Sequence, residues 1–375
     1  MQNPDYWVNL LRDMSMSWVV VQSDSDSFYQ SGAAEVLLQN QIIPIVRFWY
    51  LLPDPWTQME SIDQLVNLYQ RYDVPCIIQF SNEPYDSRSW QNGEVPPVDE
   101  MWQIVADRWS EAARIITERG AYAGFPDGPG YTENPFERTQ QADWVWHEGK
   151  GIFLTHNYGK CRPVDYPFDD VSQHGTPLTV EEYRAALDDY ADDPDWNELI
   201  HNPAFLDQMN AQRAAWAKPG QTAVDDDTCF LGWHKTLYQA SRHFGPSGPT
   251  IPLAMTEGGW VPRDRAGSDP VDIRWPMTTP RMVAQKTLAI FEAATPFLAI
   301  CPWLLADSDL GGAGAWEFDA WVGYPYEDKY GREKPVVQAL RDNPPGDGDL
   351  NIQEAIEYFE LARAEVEDML SELRV

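Results

Sequence analysis

Apolar residues along this chain switch repeatedly between a three-to-four spacing and short continuous runs, the pattern of helices alternating with buried strands. Tyr6, Trp7, Leu10, Leu11 and Met14 predict a helix over Pro4–Met14, and Ser17–Gln22 reads as the strand that follows it. The alternation continues with a helix at Gly32–Gln39, a strand at Ile42–Tyr50, a helix at Ile62–Tyr72 and a strand at Pro75–Phe80. The clearest helix is Asp99–Arg119, with Met101, Trp102, Ile104, Val105, Trp109, Ala112, Ile115 and Ile116 as its apolar positions. Beyond it the pattern gives strands at Ala121–Pro126 and Ile152–Tyr158, separated by a helix at Arg138–Trp146.

From Lys160 to about Asp227 the alternation breaks into a long acidic stretch, partly helical near Val180–Tyr190 and Pro203–Ala217, which reads as an insertion that would roof or wall a site. It resumes with a helix at Thr228–His243, a strand at Ile251–Thr256, a helix at Pro280–Ala294, a strand at Phe297–Leu305 and a closing helix at Lys334–Arg341. Gly346–Asp349 reads as a linker, and Ile352–Leu373 as a C-terminal amphipathic helix outside the main domain of 1–345. Strands that alternate with helices make a parallel α/β sheet. No Gly-rich fingerprint follows the first strand, which disfavours a doubly wound nucleotide-binding sheet. Polar residues at strand ends along the whole chain favour a (β/α)8 TIM barrel, with chemistry gathered at the C-terminal face. Seven strands are legible, one short of eight, and the chain opens on a helix.

Composition narrows the partners. A net charge of -32, from 59 acidic and 27 basic residues, makes nucleic acid an improbable partner and suits a neutral substrate. Apolar residues make up 43% of the chain, enough for a large core, and no run of 18 apolar residues suggests a membrane span. Seventeen Trp residues fit a protein that stacks on sugars, although most of these rings are expected in the core. The four cysteines are widely spaced with no CxxC pair, and read as buried free thiols; no metal or cofactor is expected. Met1–Asp5 lacks the regions of a signal peptide, so an exported protein is expected only if its true start, with the first strand, lies upstream.

Two strand ends carry the candidate chemistry. Pro75–Phe80 delivers Asn82-Glu83-Pro84 into a turn, and Ile251–Thr256 leads into Glu257-Gly258-Gly259-Trp260. A pair of glutamates at strand ends suggests a paired-carboxylate site. The glutamate motifs resemble the acid/base and nucleophile motifs of the glycoside hydrolases of clan A, retaining β-glycosidases of the family 5 kind, where an Asn-Glu pair ends strand four and a second Glu ends strand seven. The interval of three strands matches. Both ranks fall one short, which implies that the clan's first strand is lacking at the N-terminus, lies in a segment whose pattern does not reveal it, or is replaced in some other way. His156-Asn157-Tyr158 is similar to the His-x-Tyr of strand six, Arg47 to the arginine that keeps the nucleophile ionised, and Trp303 to the strand-eight tryptophan beneath the sugar.

The resemblance implies a retaining double displacement on β-linked oligo- or polysaccharide. Glu83 would be the acid/base and Glu257 the nucleophile. Asn82 would bind the sugar 2-hydroxyl, Tyr158 and Arg47 would hold Glu257, Trp303 and Trp49 would stack on sugar rings, and Trp260 would either stack there or pack in the core. His156 reads as a support behind the substrate contacts. Two other readings stand beside this one. A metal-dependent barrel hydrolase would want a His-x-His at a strand end, which the six histidines do not form. A catalytically silent barrel that binds carbohydrate or serves as a scaffold would have no use for the glutamate pair.

Overall fold

The computed structural model describes residues 4–23, 32–48, 50–55, 59–126, 133–188, 202–245, 247–261, 272–292, 297–302, 321–322 and 333–345. Seven strands, β1 (Trp18–Ser23), β2 (Ile43–Phe48), β3 (Ile77–Gln79), β4 (Tyr122–Phe125), β5 (Gly151–Tyr158), β6 (Leu253–Gly259) and β7 (Phe297–Ile300), pair in parallel in that order. Each pair of neighbours is joined through helical chain on the outside, and among the described residues the sheet curls into a nearly closed α/β barrel with one strand fewer than eight.

Side-chain alternation explains the curl. Ile45, Ile77, Ile152, Leu154, Ala254, Leu298 and Ala299 form one buried cluster, with Trp18, Val20, Tyr122 and Cys301 packed against it. All seven strands thus send side chains into a common interior, as a barrel requires. Intervening residues such as Val46, Ile78, Phe80, Ala123, Phe125, Phe153 and Met255 face the helices and belong to a separate, larger core.

The place of the missing strand is defined by what surrounds it. Helix α1 (Pro4–Asp13) buries Val8, Leu10 and Leu11 and packs beside α2 (Ala33–Gln39). On its other side the Tyr6 hydroxyl donates to Glu333 Oε1 at 3.3 Å, and Asp13 lies 3.9 Å from Arg341. Arg341 belongs to α12 (Pro335–Asp342). The helix layer therefore runs from α12 through α1 to α2, while the strand ladder stops at β7 and restarts at β1. Across that seam Val20 of β1 and Cys301 beyond β7 pack against the same interior cluster. Helix α1 occupies the position of the helix that would follow a first strand.

The remaining helices follow the strands as expected, with shifted ends. They are α3 (Met59–Arg71) and α4 (Val98–Glu118), then α5 (Pro135–Arg138) and α6 (Asp143–His147), which divide the predicted Arg138–Trp146 helix in two. Asn134 caps the first of these from its side chain, and Thr139 ends it by returning its hydroxyl to the Pro135 carbonyl at 2.7 Å. The insertion holds α7 (Asp170–His174), α8 (Val180–Ala186) and α9 (Pro203–Trp216), each started by a side-chain cap from Asp169, Thr179 or Asn202. Buried Arg213 of α9 donates to the carbonyls of Arg274 at 2.6 Å and Thr176 at 3.1 Å, tying the insertion to the segment after β6. Helices α10 (Trp233–Phe244) and α11 (Pro280–Glu292) complete the wall.

Most described aromatic rings serve the core. Trp109 packs edge-on against Phe125 at 5.1 Å and near Phe80 at 6.0 Å and Trp146 at 6.1 Å, all fully buried between β3, β4 and α4. Cys76, Cys161 and Cys229 are buried free thiols, and Cys301 is a partly buried one. No helix among the described residues is long and apolar enough to cross a membrane. The predicted linker and C-terminal helix lie outside the described residues.

Candidate active site

Alternation along the strands decides which residues reach the barrel mouth. Ile45 points into the interior, so Arg47, two residues on, does the same at the C-terminal end of β2. Leu154 likewise sets His156 and Tyr158 inward at the end of β5. On β6 the rule would fail: with Ala254 inside, Thr256 would be inside and Glu257 outside. A bulge corrects this. Thr155 pairs with Met255, but His156 pairs with Glu257, so Thr256 is the extra residue and Glu257 is turned into the mouth. The sequence reading ended this strand at Thr256, whereas the ladder continues to Gly259 opposite Tyr158.

Five of the expected residues meet there. Arg47 Nη1 donates to Glu257 Oε1. Tyr158 donates its hydroxyl to Glu257 Oε2 at 2.7 Å. His156 Nδ1 lies 2.6 Å from Glu83 Oε1 and 3.6 Å from Glu257 Oε2, while its Nε2 is 3.4 Å from Arg47 Nη2. A guanidinium only donates, so Nε2 is the acceptor and the neutral ring carries its proton on Nδ1, facing Glu83. Arg47, His156 and Glu257 are buried, and the Glu83 side chain is 16% exposed. Only one carboxylate of the pair therefore faces the way in.

The charges are unequal. Burial by itself would raise the pKa of Glu257, but His156, Arg47 and the hydrogen bonds from Tyr158 and Arg47 outweigh it and hold the carboxyl below its usual range. Burial disfavours the His156 cation, yet the negative fields of Glu257 and Glu83 prevail and raise its pKa. Burial, reinforced by Glu257, keeps the Tyr158 phenol protonated far into alkali. Glu257 is thus an ionised acceptor ringed by donors.

The turn that carries Glu83 is braced by residues the sequence reading passed over. Gln79, fully buried, donates from Nε2 to the Ser81 carbonyl at 2.8 Å. Phe80 keeps its amide on the Gly124 carbonyl of β4 at 3.1 Å. Trp90 donates its indole N–H to the Pro84 carbonyl at 2.8 Å, clamping the far side of the turn. Such side-chain-to-backbone bonds across a loop leave no trace in hydrophobic periodicity. Among the described residues, Asn82 Oδ1 is buried with no hydrogen-bond partner.

The tryptophans fare differently. Trp260 is 1% exposed, donates to the Arg162 carbonyl at 2.9 Å and lies against Phe230 at 5.7 Å, so its ring is packing rather than a sugar platform. Trp49 and Trp303 lie outside the described residues.

Glu83, His156 and Glu257 also place their ligand atoms within 4.8 Å of one another, the one group of this kind among the described residues. Chain spacing hides this cluster, since its members come from three strands. Its atoms are already engaged with one another, with Tyr158 and with the Arg47 cation, an arrangement suited to handling protons more than to gripping a second cation.

No family model matches the chain, and no curated protein matches it in sequence. Solved glycoside hydrolase structures are similar to it. A β-glucosidase from Exiguobacterium marinum aligns at 12% identity and a TM-score of 0.40 over 93% of this chain and 87% of the other. A Bacteroidetes-affiliated family 5 cellulase linked with a polysaccharide utilization locus aligns at 11% and 0.40, over 94% and 89%. A broad-specificity endoglucanase from Ruminococcus champanellensis, solved with cellotriose, aligns at 12% and 0.36, over 94% and 84%. Likeness at this level says nothing of activity, which has to be argued from the site.

Proposed function

We propose that this protein is a retaining glycoside hydrolase that cleaves β-linked oligo- or polysaccharide by double displacement, with Glu257 as nucleophile and Glu83 as acid/base. The observation that carries this reading is the closeness of the two carboxylates. Both lie on His156 Nδ1, at 2.6 and 3.6 Å, with the three ligand atoms inside 4.8 Å. Direct displacement needs carboxyls about 5–5.5 Å apart, whereas inversion needs roughly 6.5–9.5 Å to admit a water.

The division of labour follows from the surroundings. Glu257, ionised and aimed by Arg47 and Tyr158, attacks the anomeric carbon. Glu83, on the exposed side, gives a proton to the departing glycosidic oxygen, so that the C–O bond breaks as the glycosyl ester forms. Water then attacks the anomeric carbon as Glu83 takes its proton, and the bond from that carbon to Glu257 breaks so that Glu257 leaves as a carboxylate. The hydrogen bond from His156 Nδ1 keeps Glu83 in reach and moves with each change of its charge. Asn82 Oδ1, buried and free, is available to a sugar hydroxyl.

The test is hydrolysis of a panel of aryl β-glycosides and β-linked polysaccharides by wild type, Glu83→Gln and Glu257→Gln. Hydrolysis by wild type, lost in both variants, supports the mechanism. A wild type inert across the panel would favour the alternative, a silent barrel that binds carbohydrate or acts as a scaffold.

A further inference from the structure

Lys286, on α11, is a cation that the proposed chemistry does not use. Its Nζ donates to the carbonyls of Cys161 at 3.2 Å and Arg162 at 2.9 Å, and stands 5.4 Å from the centre of the Trp260 ring. No carboxylate lies within ion-pair distance of it among the described residues. Two carbonyls and an aromatic face match the three N–H bonds of an ammonium. Desolvation pulls its pKa down to about 8, so the charge is held at a cost. A methionine or leucine would fill the same space without that cost, which makes the retained charge informative.

What the ammonium joins is specific. Cys161 and Arg162 follow Tyr158 in the turn leaving β5, and Trp260 follows Glu257-Gly258-Gly259 at the exit of β6. The two exits are already linked by the Gly159 amide on the Gly259 carbonyl at 2.8 Å. Above that link the Trp260 indole donates to the Arg162 carbonyl at 2.9 Å, the oxygen that also receives Lys286. A side chain on Gly159 would run into the Trp260 ring, so the contact is at its closest. Thr278, just before α11, donates to the Lys160 carbonyl at 3.2 Å. Three successive carbonyls of the β5 exit therefore hang on donors from the β6-to-α11 segment. Lys286 is the donor that touches both strand exits.

We infer that Lys286 is a positioning residue for the nucleophile: its ammonium fastens the exits of β5 and β6 to α11 and so holds Tyr158 against Glu257. It touches neither substrate nor the reacting atoms. The inference rests on the glycosidase reading for its kinetic consequence, and on the structure alone for its mechanical one.

The experiment compares wild type, Lys286→Met and Lys286→Arg as full chains, below their melting temperatures. Hydrogen–deuterium exchange is followed in peptides spanning 156–163 and 257–261, alongside kcat and KM on an aryl β-glycoside. Lys286→Met is expected to exchange faster in both peptides while distant strands are unchanged. Its kcat is expected to fall about tenfold, the scale of a small misplacement of reacting groups, with KM within about twofold. Lys286→Arg, which keeps the charge and donors, should recover most of the loss. Unchanged exchange in both peptides overturns the inference whether or not the protein is a glycosidase. A wild type without activity overturns the glycosidase reading and leaves the exchange result to decide on Lys286. A kcat for Lys286→Met equal to wild type, or a loss shared equally by Lys286→Arg, also overturns it.

Discussion

His156 on β5 stands opposite Glu257 on β6 as an in-register pair, and it does so because Thr256 bulges out of the ladder between Met255 and Glu257. One residue of slippage turns a side chain that would face the helices into the centre of the barrel mouth. The candidate site rests on that irregularity.

The two glutamates should fail in different ways. Loss of the acid/base is expected to lower kcat/KM by about 10²- to 10⁴-fold on substrates with poor leaving groups. On dinitrophenyl glycosides, which need no proton to depart, Glu83→Gln should be far less impaired, and added azide should raise its turnover by attacking the glycosyl ester without base help. Glu257→Gln should be inert with both substrates and gain nothing from azide. Steady-state rates with and without azide check this, and azide rescue of Glu257→Gln would reverse the assignment.

Tyr158→Phe removes the 2.7 Å bond to Glu257 Oε2 and nothing else of size. A hydrogen bond to a charged acceptor is worth about 1.5–3 kcal/mol, so kcat should fall by roughly tenfold to a hundredfold. Because that bond helps hold the Glu257 pKa down, the acid limb of the kcat/KM profile should move to higher pH. A profile that keeps its acid limb in place would mean that Glu257 is not the group titrating there.

Stability should respond to pH through His156. Its folded pKa is raised, so its contribution is complete below the ordinary histidine value of about 6.5 and is lost as pH rises through the folded value. Lys286 has the opposite sign, since its depressed pKa lets the folded state shed a proton first. The quantity to measure is therefore the difference in Tm between wild type and His156→Gln. It should shrink on going from pH 6 to pH 9, and a constant difference would contradict the charge assignment. Glu257, with its depressed pKa, contributes above the usual carboxylate range and loses that contribution as pH falls through its folded value.

Gly258 has a φ of +133°, and a methyl group there would collide with the Asn157 backbone of the neighbouring strand. Gly258→Ala should cost about 2–4 kcal/mol, combining a backbone conformation reserved for glycine with a clash that only strand separation relieves. Chemical denaturation would register it as a lower midpoint at unchanged m-value. A shift under 1 kcal/mol would show that the β5–β6 ladder yields more easily than its packing suggests.

The sequence by itself determined the architecture and which polar residues stand at the strand ends. Runs such as Ile42–Phe48 and Ile152–Tyr158, set among helices with the spacing of Asp99–Arg119, indicate a parallel sheet covered on both faces, and polar residues at strand ends along the whole chain favour its closing into a barrel. It also gave the seven strands that the described residues contain. Arg47, Glu83, His156, Tyr158 and Glu257 were legible as polar residues at strand ends. Their mutual arrangement was not. Only the tertiary structure decided that Glu257 faces inward, because a bulge depends on pairing with β5 and leaves no mark in local periodicity. Only it buried Trp260 against Phe230, since a ring after a Gly-Gly pair reads the same whether it faces solvent or core. And only it brought Lys286 of α11 onto carbonyls 124 and 125 positions away, a contact made between two strand exits that no stretch of sequence contains.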